Sequence, residues 1–273
     1  MSAFAELAKL PAFMRRDLRI ALSYRMGAAT GLLAILGQAV VLSFLGKLVN
    51  PAQLPMYGGT RITYMEFVSI GIVFNMVVLL LLDQVATAIR TEQMAGTLEA
   101  LLATPTAVST IQAGSAAFEL LYAPIRMIVF LVFIGLLFGL NLHPGGALPA
   151  VSVLIVFLPF LWGLGLLSAG AILTFRRGTG AVTIGAMLLG LASGAFFPLA
   201  LFPPWLAEIS KFNPLAITIT ALRETLIGGT GWASIASDVA ELAPLSLLAL
   251  AAGAAVFRLA LKRERRLGTL GLY

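Results

Sequence analysis

Residues 26 to 46 read MGAATGLLAILGQAVVLSFLG and contain no charged side chain. A helix needs about 20 apolar residues to cross the roughly 30 Å hydrocarbon core of a bilayer. This run meets that length and follows Arg15, Arg16, Arg19 and Arg25. It is expected to remain as a first membrane helix over about 26–48, because cleaving it as a signal peptide would remove a span. Upstream, residues 4–25 form a basic amphipathic stretch. On a helical wheel Met14, Leu18, Ala21 and Leu22 share a face, and Arg16 and Arg19 lie away from it. Such a helix belongs in the membrane interface with its arginines among head groups.

Further runs repeat the pattern. Spans are expected at about 65–87, 115–140, 150–174, 181–200 and 240–261. Breakers separate them: Asn50, Pro51, Pro55, Gly58 and Gly59; His143-Pro144-Gly145-Gly146; Arg176-Arg177-Gly178; and Pro203-Pro204, which open a broken stretch to about 232. Hydrophobic residues make up 60% of the 273 and charged residues 11%. Ordinary soluble domains hold about 45–50% and about 25%. The excess apolar surface must face lipid, so the fold class is an all-α integral membrane protein of six spans.

Lys and Arg set the orientation. On one side lie Lys9, Arg15, Arg16, Arg19, Arg25, Arg90, Arg176, Arg177, Arg258, Lys262, Arg263, Arg265 and Arg266. On the other are Lys47, Arg61, Lys211 and Arg223, and Arg126 falls inside a span. The bias places both termini in the cytoplasm, as an even number of spans requires. The net charge of +6 is read as this membrane bias, not as a nucleic-acid signal. With no cysteine, disulfides, thiolate metal sites and cysteine nucleophiles are excluded.

The segment Arg90 to Pro105, RTEQMAGTLEALLATP, lies between spans two and three. Met94, Leu98, Leu101 and Leu102 recur at helical spacing, and Glu92, Gly96 and Glu99 line the opposite face. Pro105 disfavours helical geometry at Thr104. The expectation is a short cytoplasmic helix, greasy toward the membrane domain. Its other side would offer two carboxylates around a glycine that another backbone could approach. On spacing alone, an ordinary solvated loop helix is equally open.

The pattern Glu92-x-x-x-Gly96-Thr97-Leu98-Glu99-x-Leu101-Leu102-x-Thr104-Pro105 resembles the coupling-helix signature of type-2 ABC exporter permeases. These are the membrane subunits of drug, polysaccharide and lipid exporters. Gly194-Ala-Phe196-Phe197-Pro198, followed by Pro203-Pro-Trp205-Leu206, resembles the segment after that family's fifth span. Asn213-Pro214-Leu215 and Ala221-Leu222-Arg223-Glu224 resemble the stretch before its sixth. Arg176-Arg177-Gly178 sits where members often carry a basic turn. The resemblance implies a single permease domain over 1–273. Residues 1–25 would be an interfacial connector helix and 90–105 a coupling helix docking an ATPase through Glu92, Gly96, Thr97, Leu98, Glu99, Leu102 and Pro105. Residues 203–232 would hold short re-entrant helices. It further implies two ABC ATPase subunits carrying ATP and Mg, a second permease copy (the same or a related chain), and residence in the plasma (inner) membrane.

Polar groups inside spans are costly and therefore informative. Glu119 and Arg126 are two turns apart on span three. They serve either a pathway or gate, or structure, with Glu119 snorkelling to the inner interface and Arg126 in a buried ion pair. Phe196, Phe197, Pro198, Asn213 and Arg223 are further pathway or gate candidates. Gln38 and Asn75 fit interhelical hydrogen bonding.

No phosphate-binding loop is present, since Gly46-Lys47 is followed by Leu48 without the earlier glycine. The lone His143 excludes the paired-histidine zinc protease pattern. No catalytic residue, cofactor or metal site is expected in the chain. Competing readings are a secondary transporter, which would need carboxylates central to several spans, and an intramembrane enzyme, which would need a nucleophile with a base. A third is an accessory subunit, for which the 90–105 helix would be dispensable.

Overall fold

The computed structural model describes residues 9–23, 25–47, 49, 54–94, 96, 97, 100, 103, 104, 108–175 and 179–267. The described elements, in order, are α1 (Leu10–Ser23), α2 (Arg25–Gly46), a two-residue hairpin of β1 (Met56–Tyr57) and β2 (Thr60–Arg61), α3 (Tyr64–Met94), α4 (Val108–Phe138), α5 (Ala147–Phe175), α6 (Thr179–Leu191), α7 (Pro204–Lys211), α8 (Pro214–Leu226) and α9 (Trp232–Leu267). The fold is all-α apart from that hairpin.

Four stretches among the described residues are long and apolar enough to cross a membrane: Tyr64–Ala88, Leu121–Phe138, Pro144–Thr174 and Trp232–Arg263. A shorter apolar helix covers Leu36–Gly46. The expected first and fifth spans fall on α2 and α6. Some boundaries move. The fifth ends at Leu191 instead of about 200, because Ala192 to Pro198 form an irregular turn. The sixth begins at Trp232 instead of about 240, its first three turns mixing Ser, Asp and Glu with apolar residues.

α3 is the centre of the molecule. Its spanning window is 72% buried within the fold, against 17% for α9. Phe67, Ile70, Phe74, Val77, Val78 and Leu81 of α3 are buried with Met127 and Ile134 of α4, Phe157 of α5, and Leu215, Ile219 and Leu222 of α8. The Phe74 and Phe157 rings lie 5.2 Å apart, tilted by 45°. α3 begins with a reciprocal cap. The Thr63 backbone N–H donates to Glu66 Oε2 at 2.8 Å, and the Glu66 N–H donates to Thr63 Oγ1 at 3.2 Å.

α5 and α9 form the longest helix pair. They meet where Gly163 faces Ala249 and Gly253, so closely that a methyl group on either glycine would run into the opposing backbone. Lipid supplies no hydrophobic drive between helices, and small residues that admit close backbone approach take over that task. Pro124, Pro159 and Pro244 lie inside α4, α5 and α9. Neighbouring helices make such prolines tolerable within a membrane.

Candidate functional site

Two groups of sequence-selected residues sit at opposite ends of α3. The first is the inner junction. α3 runs unbroken past its spanning stretch to Met94. Gly96 then takes φ 69°, and the Thr97 N–H donates to the Glu92 carbonyl at 3.0 Å. This left-handed residue with its six-to-one hydrogen bond is a Schellman stop. One helix over 90–105 is therefore corrected: residues 90–94 are the end of α3, and Gly96 terminates it. Glu92 and Gly96 share no helical face, and Met94 is 80% exposed instead of turned to the membrane domain. Leu98, Glu99, Leu101, Leu102 and Pro105 lie outside the described residues.

Glu92 is not offered outward. Its side chain is buried, and one carboxylate oxygen meets Arg16 Nη1 at 2.7 Å. The other accepts from the Thr97 hydroxyl at 2.5 Å. Arg16 also bonds Asp17 at 2.7 Å and lies over the Phe13 ring at 5.4 Å. Burial works against the Arg16 charge, but hydrogen bonds to Asp17 and Glu92 outweigh it and hold its pKa above the ordinary guanidinium value. The Phe13 ring sits against Gly114 of α4. α1 is thus clamped onto α3 and α4 through Arg16, a residue expected among lipid head groups. Leu18, expected on its apolar face, is exposed. The charged face of α1 needs a partner as much as its apolar face does, but a helical wheel cannot name a partner 76 residues away.

The second group is the outer seam, where three of the gate candidates converge. Arg223 of α8 is 2% exposed. Its Nε donates to the Phe67 carbonyl, Nη1 to that of Gly194 and Nη2 to that of Ala195, each at 3.0 Å. The guanidinium lies 3.6 Å over the centre of the Phe67 ring. Beside it, burial pushes the pKa of the Tyr57 hydroxyl up, with the Arg223 charge pulling the other way. Asn213 caps α8 by accepting from the Leu215 N–H at 3.0 Å, and its amide donates to the Leu189 carbonyl at 2.8 Å. The Phe196 carbonyl accepts from the Tyr64 hydroxyl at 3.1 Å. Pro198 is buried and Phe197 exposed in the same turn. One buried cation therefore ties together α8, the start of α3, the hairpin and the turn after α6. Arg223 was expected among loop charges; its fork of donors places it inside.

Glu119 and Arg126 both lie on α4, and the side chain of Glu119 is outside the described residues. The Arg126 side chain is half-buried, with its guanidinium 5.2 Å from the Tyr122 ring centre. Gln38 is exposed, and the Asn75 amide is close to Gly190. Among residues not singled out from sequence, Glu66 also accepts from the Asn141 amide at 3.3 Å. Its Thr63-x-x-Glu66 spacing is a legible capping signal.

Among the described residues no group of acidic or histidine side chains could hold a metal ion. A model of the ABC-2 type transporter membrane family matches residues 11–227, most of the chain and both candidate regions. The chain belongs to the ABC-2 type transporter family. It is a multi-pass membrane permease subunit of an ABC transporter. Permeases of this family are transport subunits, not catalysts, and work with an ATPase subunit. No curated protein matches the chain.

Proposed function

We propose that this ABC-2 permease moves a hydrophobic or amphipathic cargo (a drug, a lipid or a glycan-bearing lipid) out of the cytoplasm, driven by ATP hydrolysed on a separate subunit. Two permease copies would pair in the plasma membrane on two ATPase copies, with both termini cytoplasmic. ATP and Mg would be held by those partners, where phosphoryl transfer takes place. The chain's own task is mechanical. Closure of the ATPase dimer would push the segment after Gly96 and bias the permease between inward-open and outward-open states.

The observation that supports this reading is the continuity of α3. From Phe67, which accepts from Arg223, to Glu92, which is latched to Arg16, the helix is unbroken. At about 1.5 Å per residue that is roughly 38 Å of rod. A push at the inner junction would reach the outer seam along one element.

The test is co-purification of the chain, in mild detergent, with ATPase subunits encoded in its own genome. A Glu99→Arg, Thr104→Arg variant, which leaves the Arg16–Glu92 latch intact, would be purified alongside. The native chain is expected to retain an ATPase with measurable turnover, and the variant to lose it. If no ATPase associates, an ATPase-independent role replaces this reading; if the variant retains it equally, docking through 97–105 fails.

A further inference from the structure

A cavity of about 240 Å³ lies between α4, α5 and α8, and neither Glu92 nor Arg223 is among the residues that line it. Met127 and Leu131 of α4, Ala150 and Leu154 of α5, and Leu222 of α8 line it, and His143 stands at one end. Apart from that imidazole its side-chain walls are hydrocarbon. A dry apolar cavity of about 150 Å³ is already enough to hold benzene.

The cavity opens sideways. Two of its lining residues, Ile128 and Val132, are 45% and 51% exposed. They belong to a stripe of exposed apolar residues on α4 that continues through Leu121, Ile125 and Leu136. The stripe lies within the spanning window Leu121–Phe138, so its surroundings are lipid. The mouth is thus continuous with the bilayer. Its lining extends along α4 from Met127 to Val132 and on to His143. His143 lies between the end of α4 at Phe138 and the start of α5 at Ala147, where the chain leaves the hydrocarbon. Met127 lies eleven residues inside α4, roughly 16 Å at about 1.5 Å per residue. That depth is about half the hydrocarbon thickness, the length of one leaflet's chains.

We propose that this cavity is a binding site for one acyl chain of a bilayer phospholipid, entered between α4 and α5 with the head group at the His143 end. A methylene chain is narrow and flexible enough for the recess. A helix of a second copy, about 10 Å across with its side chains, is not. The site stands apart from the transport reading, because neither the Glu92 latch nor the Arg223 seam lines it.

The experiment uses the full chain in vesicles of phosphatidylethanolamine and phosphatidylglycerol alone, with a fraction of the lipid carrying a diazirine near its acyl terminus. After irradiation, adducts are mapped by mass spectrometry. Expected are adducts on Met127, Leu131 and Leu154 in excess of those on the outward Leu121 and Ile125. Filling the recess with Ala150→Phe is expected to abolish the excess of cavity adducts, because the phenyl ring takes the space the chain would fill, and to leave the outward ones unchanged. Adducts spread evenly over inner and outer positions would overturn the site. So would cavity labelling indifferent to Ala150→Phe. Absence of lipid adducts from these cavity positions would do the same, by leaving this face to another occupant. If Ala150→Phe fails to fold, the inner-to-outer ratio in the native chain decides alone. No ATPase is present, so failure here leaves the transport reading untouched.

Discussion

Arg223 sends three of its nitrogens to three different main-chain carbonyls and lays its flat face on a phenyl ring. A lysine ammonium is a point charge and cannot reproduce a planar fork. Leucine would leave the carbonyls of Phe67, Gly194 and Ala195 without this donor. Each orphaned buried group costs about 1–3 kcal/mol, less where water or relaxation compensates. Arg223→Leu is therefore expected to destabilise the permease by at least ~3 kcal/mol, and Arg223→Lys by less, in thermal unfolding of the detergent-purified chain. If Arg223 instead served only to contact cargo, both variants would unfold like the native chain and differ only in transport. Resemblance to the family's stretch before span six selects this residue but does not name its partners. Backbone carbonyls carry no residue identity, so three acceptors at 194, 195 and 67 leave no trace in composition or spacing. Glu92 shows the converse. Its assignment to an outward face rests on a helix that Gly96 interrupts.

The elements themselves were largely legible, because a span has no alternative to backbone hydrogen bonds made within the helix. α3, α4 and α5 each run near the stretch that apolar length marks out. What was hidden is where helices stop and how closely they meet. Gly96 falls on the polar face opposite the apolar period of its segment, and periodicity alone reads straight through it. The stop depends on a glycine's freedom to take φ 69°, a punctuation signal that competes with the period and here prevails. The contact of α5 with α9 was equally invisible, since a glycine in an apolar helix looks neutral until its neighbour is known. Gly253 packs onto the Gly163 backbone, whereas Gly37 of α2 has open space where a methyl group would go. Both are helical, so replacement by alanine should give each the same intrinsic gain of up to about 1 kcal/mol. Gly253→Ala is nevertheless expected to lower the thermal midpoint, and Gly37→Ala to hold or raise it. Equal shifts for the two would mean that the seam between α5 and α9 relaxes apart without loss.

At the scale of the whole molecule, the chain's two ends of function are fixed relative to each other before any membrane is considered. The turn before α5 is bound to the end of α8 through the His143 N–H, which donates to the Leu226 carbonyl at 2.8 Å. Gly146 lies against the backbone at Thr225. The 139–146 turn and α8 therefore belong to one end of the bundle, with the hairpin and Arg223. Glu92, Gly96 and the latch to α1 belong to the other, a helix length of α3 away. The Lys and Arg bias predicts which end faces the cytoplasm, and the absence of cysteine makes the chain ready for testing that with single introduced thiols. Gly145 is exposed with open space around it, and Ser23 is exposed at the end of α1. Gly145→Cys is expected to react with a membrane-impermeant maleimide in intact cells, and Ser23→Cys only after permeabilisation. The reverse pattern would invert the permease. The segment after Gly96 would then lie on the outside, where no ATPase could reach it, and transport powered from the cytoplasm through that segment would be physically impossible. Labelling of both in intact cells would place α1 and the 139–146 turn on one side, which the single span α4 does not allow while α1 is latched to the Glu92 end of α3.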